Sequence, residues 1–234
     1  MYGKRKLRPM ARFSRIQVVL AMKETGMVPV FYHPDLNTCK QVVKACYEGG
    51  VRVFEFTNRG DFAHELFSEL NRYVIKEFPD LIMGAGSVID PGTTSLYIQL
   101  GANFIVSPLL NEEMAKICNR RKISWSPGCG SVSEISKAEE LGAEVVKIFP
   151  GSQVGGPKFV AAILGPMPWT SIMPTGGVEP TEENLGAWFK AGVHCVGMGS
   201  KLITKDIINN ASFELLSKRV KEALQIINSI KTGK

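Results

Sequence analysis

Short apolar segments alternate with longer amphipathic segments along most of this chain, and this alternation restricts its possible folds more than any other feature. The short segments consist mainly of aliphatic and β-branched residues and end at Gly, Pro or Ser, as strands buried in a parallel sheet do. The eight predicted strands are residues 27–32, 51–57, 81–86, 103–106, 123–126, 144–149, 170–173 and 195–198. Eight strands joined by crossover helices predict an α/β fold, the (β/α)8 TIM barrel.

The segments between the strands have apolar residues at helical spacing. The helices predicted in this way include residues 38–48, 62–77, 111–119, 132–141, 158–164 and 182–191. A last apolar stripe suits a helix lying against the outside of the sheet, and it consists of Phe213, Leu216, Val220, Leu224, Ile227 and Ile230. No linker or change in composition divides the chain. We therefore expect one barrel domain, residues 1–234, with residues 1–26 as an N-terminal leader and helical extension.

An open doubly wound sheet is the alternative architecture for alternating strands and helices. That fold commonly carries a Gly-x-Gly-x-x-Gly turn after its first strand, where a dinucleotide binds. No such turn follows residues 27–32. The number of strands and this missing turn favour the closed barrel.

Basic residues are concentrated at the start of the chain. The formal net charge is +6, and the N-terminal cluster consists of Lys4, Arg5, Lys6, Arg8, Arg12 and Arg15. A basic cluster can bind nucleic acid, or it can be a solvated leader before the first helix. We favour the solvated leader and expect no nucleic-acid partner.

Cysteine and apolar content indicate the compartment. Five scattered cysteines with no Cys-x-x-Cys pair predict neither a disulfide framework nor a zinc site, and His33, His64 and His194 show no ligand spacing. The basic leader lacks the apolar stretch of a signal peptide. No segment reaches the roughly 20 apolar residues needed to cross a bilayer. We therefore expect a cytoplasmic protein without a membrane partner.

Lys147 lies inside a very apolar predicted strand, Val145-Val146-Lys147-Ile148-Phe149. Burial disfavours the charged ammonium, which lowers the pKa of a lysine and leaves a neutral, nucleophilic amine. Such an amine can attack a carbonyl and form a Schiff base. A lysine that reaches water, or that pairs with an acid, is the alternative interpretation.

Glu55 shares its predicted strand with two phenylalanines. Side chains alternate between the two faces of a strand, so Val53, Glu55 and Thr57 share one face while Phe54 and Phe56 share the other. The aromatic rings suit the side that faces the helices, which directs Glu55 into the barrel. A carboxyl group there can transfer protons, or it can be a structural partner of a buried cation such as Lys147.

Polar residues and glycines occur where predicted strands end, which is where barrel enzymes place their active sites. Arg59 follows the second strand and suits a carboxylate, and Ser87 follows the third as a further hydrogen-bonding group. The turns after the seventh and eighth strands contain Gly176, Gly177, Gly197, Gly199 and Ser200. Backbone N–H groups of such turns can bind a phosphate.

Taken in order, these motifs resemble the 2-keto-3-deoxy-6-phosphogluconate (KDPG) aldolase family, including its 4-hydroxy-2-oxoglutarate aldolase members. The resemblance runs from about residue 27 to the end of the chain. It rests on six motifs in consecutive order: residues 49–55 (GGVRVFE), 84–88 (GAGSV), 107–108 (SP), 127–128 (PG), 147–150 (KIFP) and 174–177 (PTGG).

The resemblance implies a role for each motif residue. Lys147 is the Schiff-base lysine, and Glu55 is the general acid and base. Residues that bind the substrate are Arg59, Ser87, Pro108 and Thr175, and those that bind its phosphate are Gly176, Gly177, Gly197, Gly199 and Ser200. It also implies a metal-independent class I aldolase that needs no cofactor, acts on a small keto-acid sugar phosphate and forms a homotrimer.

Several alternatives remain open at this point. The turn at residues 197–201 is similar to that of the related 2-keto-3-deoxy-6-phosphogalactonate aldolases. Barrels with a phosphate site also include isomerases and epimerases, and a chain of this type can bind a sugar phosphate without catalysis. The presence of both Lys147 and Glu55 favours the aldolase over these alternatives.

Overall fold

The computed structural model describes residues 11–233, and its strands follow the predicted order along the chain. They are β1 (Met27–Phe31), β2 (Val53–Thr57), β3 (Ile82–Gly86), β4 (Phe104–Val106), β5 (Ser124–Ser126), β6 (Gly128–Cys129), β7 (Val146–Ile148), β8 (Ile172–Pro174) and β9 (Val196–Met198). Every predicted strand overlaps at least one of them. Of the basic N-terminal cluster, Lys4, Arg5, Lys6 and Arg8 lie outside the described residues.

The strands form a curled parallel sheet that resembles a TIM barrel. One hydrogen-bonded group has the order β5-β4-β3-β2-β1-β9, and the other has the order β6-β7-β8. The groups divide at Pro127, which has no N–H group to donate to a sheet and which separates β5 from β6. A parallel bridge between Thr175 and Gly197 links the end of β8 to β9.

Ten helices occur among residues 11–233, and most of them connect one strand to the next. They are α1 (Arg15–Thr25), α2 (Leu36–Glu48), α3 (Ala63–Glu77), α4 (Pro91–Gln99), α5 (Glu112–Arg121), α6 (Val132–Glu140), α7 (Gly156–Leu164), α8 (Glu182–Lys190), α9 (Lys205–Asn209) and α10 (Phe213–Thr232). No helix of this described part is both long and apolar enough to cross a lipid bilayer.

Two helices, α4 and α9, lie outside the segments predicted from sequence. Helix α4 is rich in Gly, Thr and Ser, which favour helices poorly. Its start is stabilised by the side chain of Asp90, which accepts a hydrogen bond from the N–H of Thr93, and by Pro91 in the first turn. Helix α9 has five residues, too few to show an apolar period.

Two apolar layers pack against the sheet. The outer layer lies between the strands and the helices and contains Phe54 and Phe56. The inner layer consists of Val18, Met22, Val28, Val53, Ile82, Phe104, Val106, Val145, Met173 and Cys195. Most members of the inner layer that belong to a strand lie near the beginning of that strand. Helix α1 supplies Val18 and Met22, both fully buried, and so covers the N-terminal end of the sheet.

Candidate active site

Lys147 lies in the middle of β7 and is almost completely enclosed, with 5% of its surface exposed. Its backbone pairs with Gly128 on one side and Met173 on the other, and its N–H donates to the carbonyl of Pro127 at 3.0 Å. The ammonium nitrogen lies 4.8 Å from the centre of the Phe149 ring. The lysine is therefore held by a rigid strand in a mainly apolar environment.

Glu55 lies in β2 and is fully buried. Its neighbours Phe54 and Phe56 belong to the outer layer and Val53 to the inner layer, so Glu55 points into the interior, as the alternation predicts. A Cβ atom built on Gly86 of β3 would overlap the Glu55 carboxyl group. Gly86 therefore provides the space in which this carboxyl group lies.

Burial sets the proton affinity of both groups. Burial raises the pKa of Glu55, and attraction to Lys147 and Arg59 opposes this rise. Burial lowers the pKa of Lys147, and repulsion from Arg59 adds to the decrease while Glu55 opposes it. Neither oxygen of Glu55 has a hydrogen-bond partner among the described residues. The interior thus favours a neutral amine near a carboxyl group that is protonated more readily than an exposed one.

Arg59 and Ser87 meet where β2 and β3 end. The Nε–H of Arg59 donates to Ser87 Oγ at 3.4 Å, and Ser87 has a φ of +57°, a left-handed conformation that is uncommon for serine. The N–H of Asn58 donates to the carbonyl of Gly86 at 2.8 Å, which ties the two strand ends together. Arg59 forms no ion pair within residues 11–233. Its guanidinium is therefore available to a carboxylate ligand.

A cavity of about 660 Å³ opens at the C-terminal ends of β1, β2, β8 and β9. The sequence-predicted residues that line it are Arg59, Thr175, Gly176, Gly177, Gly197, Gly199 and Ser200. Thr57 and Phe149 also line it: Thr57 ends β2, two residues beyond Glu55, and Phe149 follows β7, two residues beyond Lys147. The lysine and the glutamate are therefore one side-chain layer deeper than the cavity wall.

The glycine turns of the cavity have geometries that other residues adopt poorly. Gly176 and Gly177 have φ values of +93° and +77°. A Cβ atom on Gly197 would overlap Thr175 Oγ1, which is buried and has no hydrogen-bond partner among the described residues. These glycines allow the backbone of two neighbouring turns to lie directly against the cavity.

Ser87 and Pro108 are not part of the cavity wall. Ser87 accepts the hydrogen bond from Arg59, which does line the cavity. The carbonyl of Pro108 instead lies against β6, where a Cβ atom on Gly128 would overlap it. The structure therefore brings Ser87 to the site through Arg59 and places Pro108 at the side of the strand next to Lys147.

Other residues line the cavity without having been assigned to the site from sequence. Tyr32 and His33 follow β1, and Lys205 and Asn209 belong to α9. The position of His33 after a predicted strand is a weak signal for such a role. No sequence pattern identifies Lys205, because α9 is too short to be predicted. Within residues 11–233 no group of three or more His, Cys, Asp or Glu side chains has the arrangement of a metal site.

Comparison with known proteins gives a consistent result. The family model described as "KDPG and KHG aldolase" matches residues 18–219. The KHG/KDPG aldolase of Escherichia coli K12 is 33% identical over 199 residues, covering 85% of this chain and 91% of that protein. The 2-dehydro-3-deoxy-phosphogluconate aldolase of Dickeya dadantii is 33% identical over 198 residues, with 85% and 90% covered.

A solved structure is similar over almost its full length. It is a KDPG aldolase from Legionella pneumophila with pyruvate captured as a covalent carbinolamine intermediate. Its TM-score is 0.80 at 28% identity, and the match covers 88% of this chain and 98% of that one. From the matched family model and these relatives we conclude that the chain belongs to the KDPG and KHG aldolase family.

Proposed function

We propose that this protein is a class I aldolase that cleaves KDPG into pyruvate and glyceraldehyde 3-phosphate. The observation that carries the proposal is the buried lysine and the buried carboxyl group in one interior, beneath a cavity with glycine turns. Membership of the KDPG and KHG aldolase family supports the choice of substrate. In the same way we propose that it also cleaves 4-hydroxy-2-oxoglutarate into pyruvate and glyoxylate.

Lys147 is the proposed nucleophile. Its lowered pKa provides a neutral amine, which attacks the C2 carbonyl of the substrate and forms a carbinolamine. Loss of water from the carbinolamine gives an iminium ion. When the C3–C4 bond breaks, its electron pair forms the C2=C3 double bond of an enamine, and the π electrons of the C=N bond move to nitrogen.

Glu55 is the proposed acid and base. In its protonated form, which burial favours, it gives a proton to the departing hydroxyl of the carbinolamine. The resulting carboxylate takes the proton of the C4 hydroxyl while C3–C4 breaks, so the aldehyde leaves and an enamine remains. Glu55 then protonates C3 of the enamine, and hydrolysis of the pyruvate iminium releases pyruvate and restores the Lys147 amine.

The remaining residues are proposed to orient the substrate. Arg59 holds the keto-acid carboxylate, with Ser87 fixing the guanidinium. Pro108 and Thr175 are the other residues proposed to contact the substrate. A phosphate at the other end is bound by backbone N–H groups and a hydroxyl of the two turns on the cavity wall, which are Gly176, Gly177, Gly197, Gly199 and Ser200.

The fold supports a further proposal, that the curled sheet is a complete (β/α)8 barrel formed by one domain of residues 1–234 with α1 in its N-terminal extension. The interrupted strand around Pro127 and the Thr175–Gly197 bridge are the two positions where closure depends on few hydrogen bonds. An experimental structure with β8 and β9 fully separated would contradict this proposal.

We also propose that the protein assembles as a homotrimer. Four apolar side chains are exposed in this part of the fold: Ile89 and Leu109 follow β3 and β4, Leu96 lies within α4, and Val132 begins α6. The family resemblance supports this assembly, and a common face would remove these side chains from water. Sedimentation equilibrium should give three times the mass of the chain, whereas a monomer at micromolar concentration would contradict the proposal.

A cytoplasmic location is proposed because all five cysteines are free and buried. Free thiols suit a reducing compartment. Recovery of the protein from the periplasm or medium in fractionated cells would contradict this location.

The aldolase proposal predicts cleavage of KDPG that depends on Lys147. Pyruvate release, followed with lactate dehydrogenase and NADH, should fall at least about a thousandfold in Lys147→Met because the covalent route is lost. Lys158→Met, at an exposed position of α7, is the matched control and should retain the wild-type rate. A wild-type protein that cleaves the C4 epimer, 2-keto-3-deoxy-6-phosphogalactonate, in preference to KDPG would favour the related aldolase instead.

The position of Glu55 predicts an effect of a single added methyl group. Gly86→Ala should displace the carboxyl group and lower kcat about a hundredfold, since small misplacements of catalytic groups have effects of this size. The control Gly186→Ala adds the same methyl group in α8, where nothing lies within 4 Å, and should leave kcat unchanged. Wild-type kcat in folded Gly86→Ala, as judged by circular dichroism, would show that Glu55 does not need its present position.

A further inference from the structure

Part of the cavity wall comes from α9, which carries none of the site residues assigned from sequence. Lys205 is the first residue of α9 and Asn209 the last, and both line the cavity. The helix is fixed in place by Ile207, which is buried, and by Thr204, whose side chain accepts a hydrogen bond from the N–H of Ile207. Lys205 is therefore presented to the cavity from a defined position.

Lys205 is exposed to solvent and lines the cavity without a partner of opposite charge among the described residues. It forms no ion pair within residues 11–233, whereas Lys201, which also lines the cavity, pairs with Glu179 at 2.9 Å. A lysine in the first turn of a helix also lies at the end where the helix dipole disfavours a cation. Its ammonium is therefore available to a ligand.

His33 adds a hydrogen-bond donor to the same cavity. Its Nδ1 accepts from the N–H of Asp35 at 3.1 Å, so the proton of the neutral ring is on Nε2. The ring is parallel to that of Phe31, with centroids 6.4 Å apart, and this stacking restricts its orientation. Lys205 and His33 thus reach the cavity from two different elements, and both can donate to an anion.

The cavity has two cations without an ion-pair partner among the described residues, Arg59 after β2 and Lys205 on α9. A cavity lined by charges of one sign attracts ligands of the opposite sign. The two cations lie on different elements of the wall, which suits a substrate with an anionic group at each end. Backbone amides of the glycine turns supply no full charge, so Lys205 adds an electrostatic component that they lack.

We propose that Lys205, with His33 beside the same cavity, determines specificity for an anionic group at the end of the substrate distant from the keto acid. This proposal rests on the proposed aldolase function. It identifies the residues that distinguish a phosphorylated 2-keto-3-deoxy sugar acid from the same sugar acid without the phosphate. Arg59 recognises the part that both substrates share. Lys205 therefore affects the binding of the phosphorylated substrate only.

The first test measures binding of inorganic phosphate by ³¹P NMR titration, which does not require turnover. Lys205→Met should weaken binding about tenfold because one charge-assisted hydrogen bond is lost, and Lys205→Arg should restore most of it. Lys158→Met removes an exposed lysine from the first turn of another helix, α7, and should bind like the wild type. Equal phosphate affinity in wild type and Lys205→Met would overturn the proposal.

The second test compares KM for KDPG and for unphosphorylated 2-keto-3-deoxygluconate. Lys205→Met should raise KM for KDPG about tenfold, leave kcat close to the wild-type value and leave both constants for the unphosphorylated substrate unchanged. An equal rise of KM for both substrates would indicate general disturbance of the cavity and overturn the assignment. If the wild type cleaves neither substrate, the aldolase function fails, and the phosphate titration still decides the role of Lys205.

Discussion

The burial of Lys147 and Glu55 in one interior constrains the fold more than any other feature. Enclosing a lysine and a carboxyl group removes both from water, which favours their neutral forms, and the attraction between them offsets part of this cost. Their strands, β7 and β2, belong to different hydrogen-bonded groups of the sheet. The sheet must therefore be curled for the two side chains to share one interior. The curvature of the sheet thus encloses both side chains, and this burial shifts the pKa of each.

The two ends of the sheet differ in what covers them. At the N-terminal end, Val18 and Met22 of α1 pack against residues at the beginnings of the strands and exclude water. At the opposite end the strands finish in glycine turns and polar residues around the cavity. Lys147 and Glu55 lie between these regions. Their depth explains why burial is the largest influence on the pKa of each, and why a ligand can still approach from one side.

Much of this arrangement could be predicted from the sequence because it depends on local periodicity. The phenylalanines beside Glu55 fix the direction of its side chain, and the apolar run around Lys147 places it on the sixth predicted strand. This strand is β7 in the structure because β6 was not predicted. The break at Pro127 and the short helix α9 could not be predicted in the same way. The break becomes apparent only once Pro127 is known to lie between β5 and β6, which belong to different hydrogen-bonded groups. Helix α9 is too short to show an apolar period. Lys205 was not assigned to the site because it lies in this short helix. Pro108 was assigned by its motif, which does not show that its carbonyl lies against β6.

Covalent trapping with pyruvate identifies the residue that forms the Schiff base. The protein would be incubated with pyruvate and sodium borohydride at neutral pH, and the modified residue located by intact mass and peptide mapping. Because burial lowers the pKa of Lys147, we expect one reduced pyruvate adduct per chain, on Lys147, and none in Lys147→Met. No adduct, or an adduct on a different lysine, would contradict the assignment of Lys147 as the Schiff-base residue.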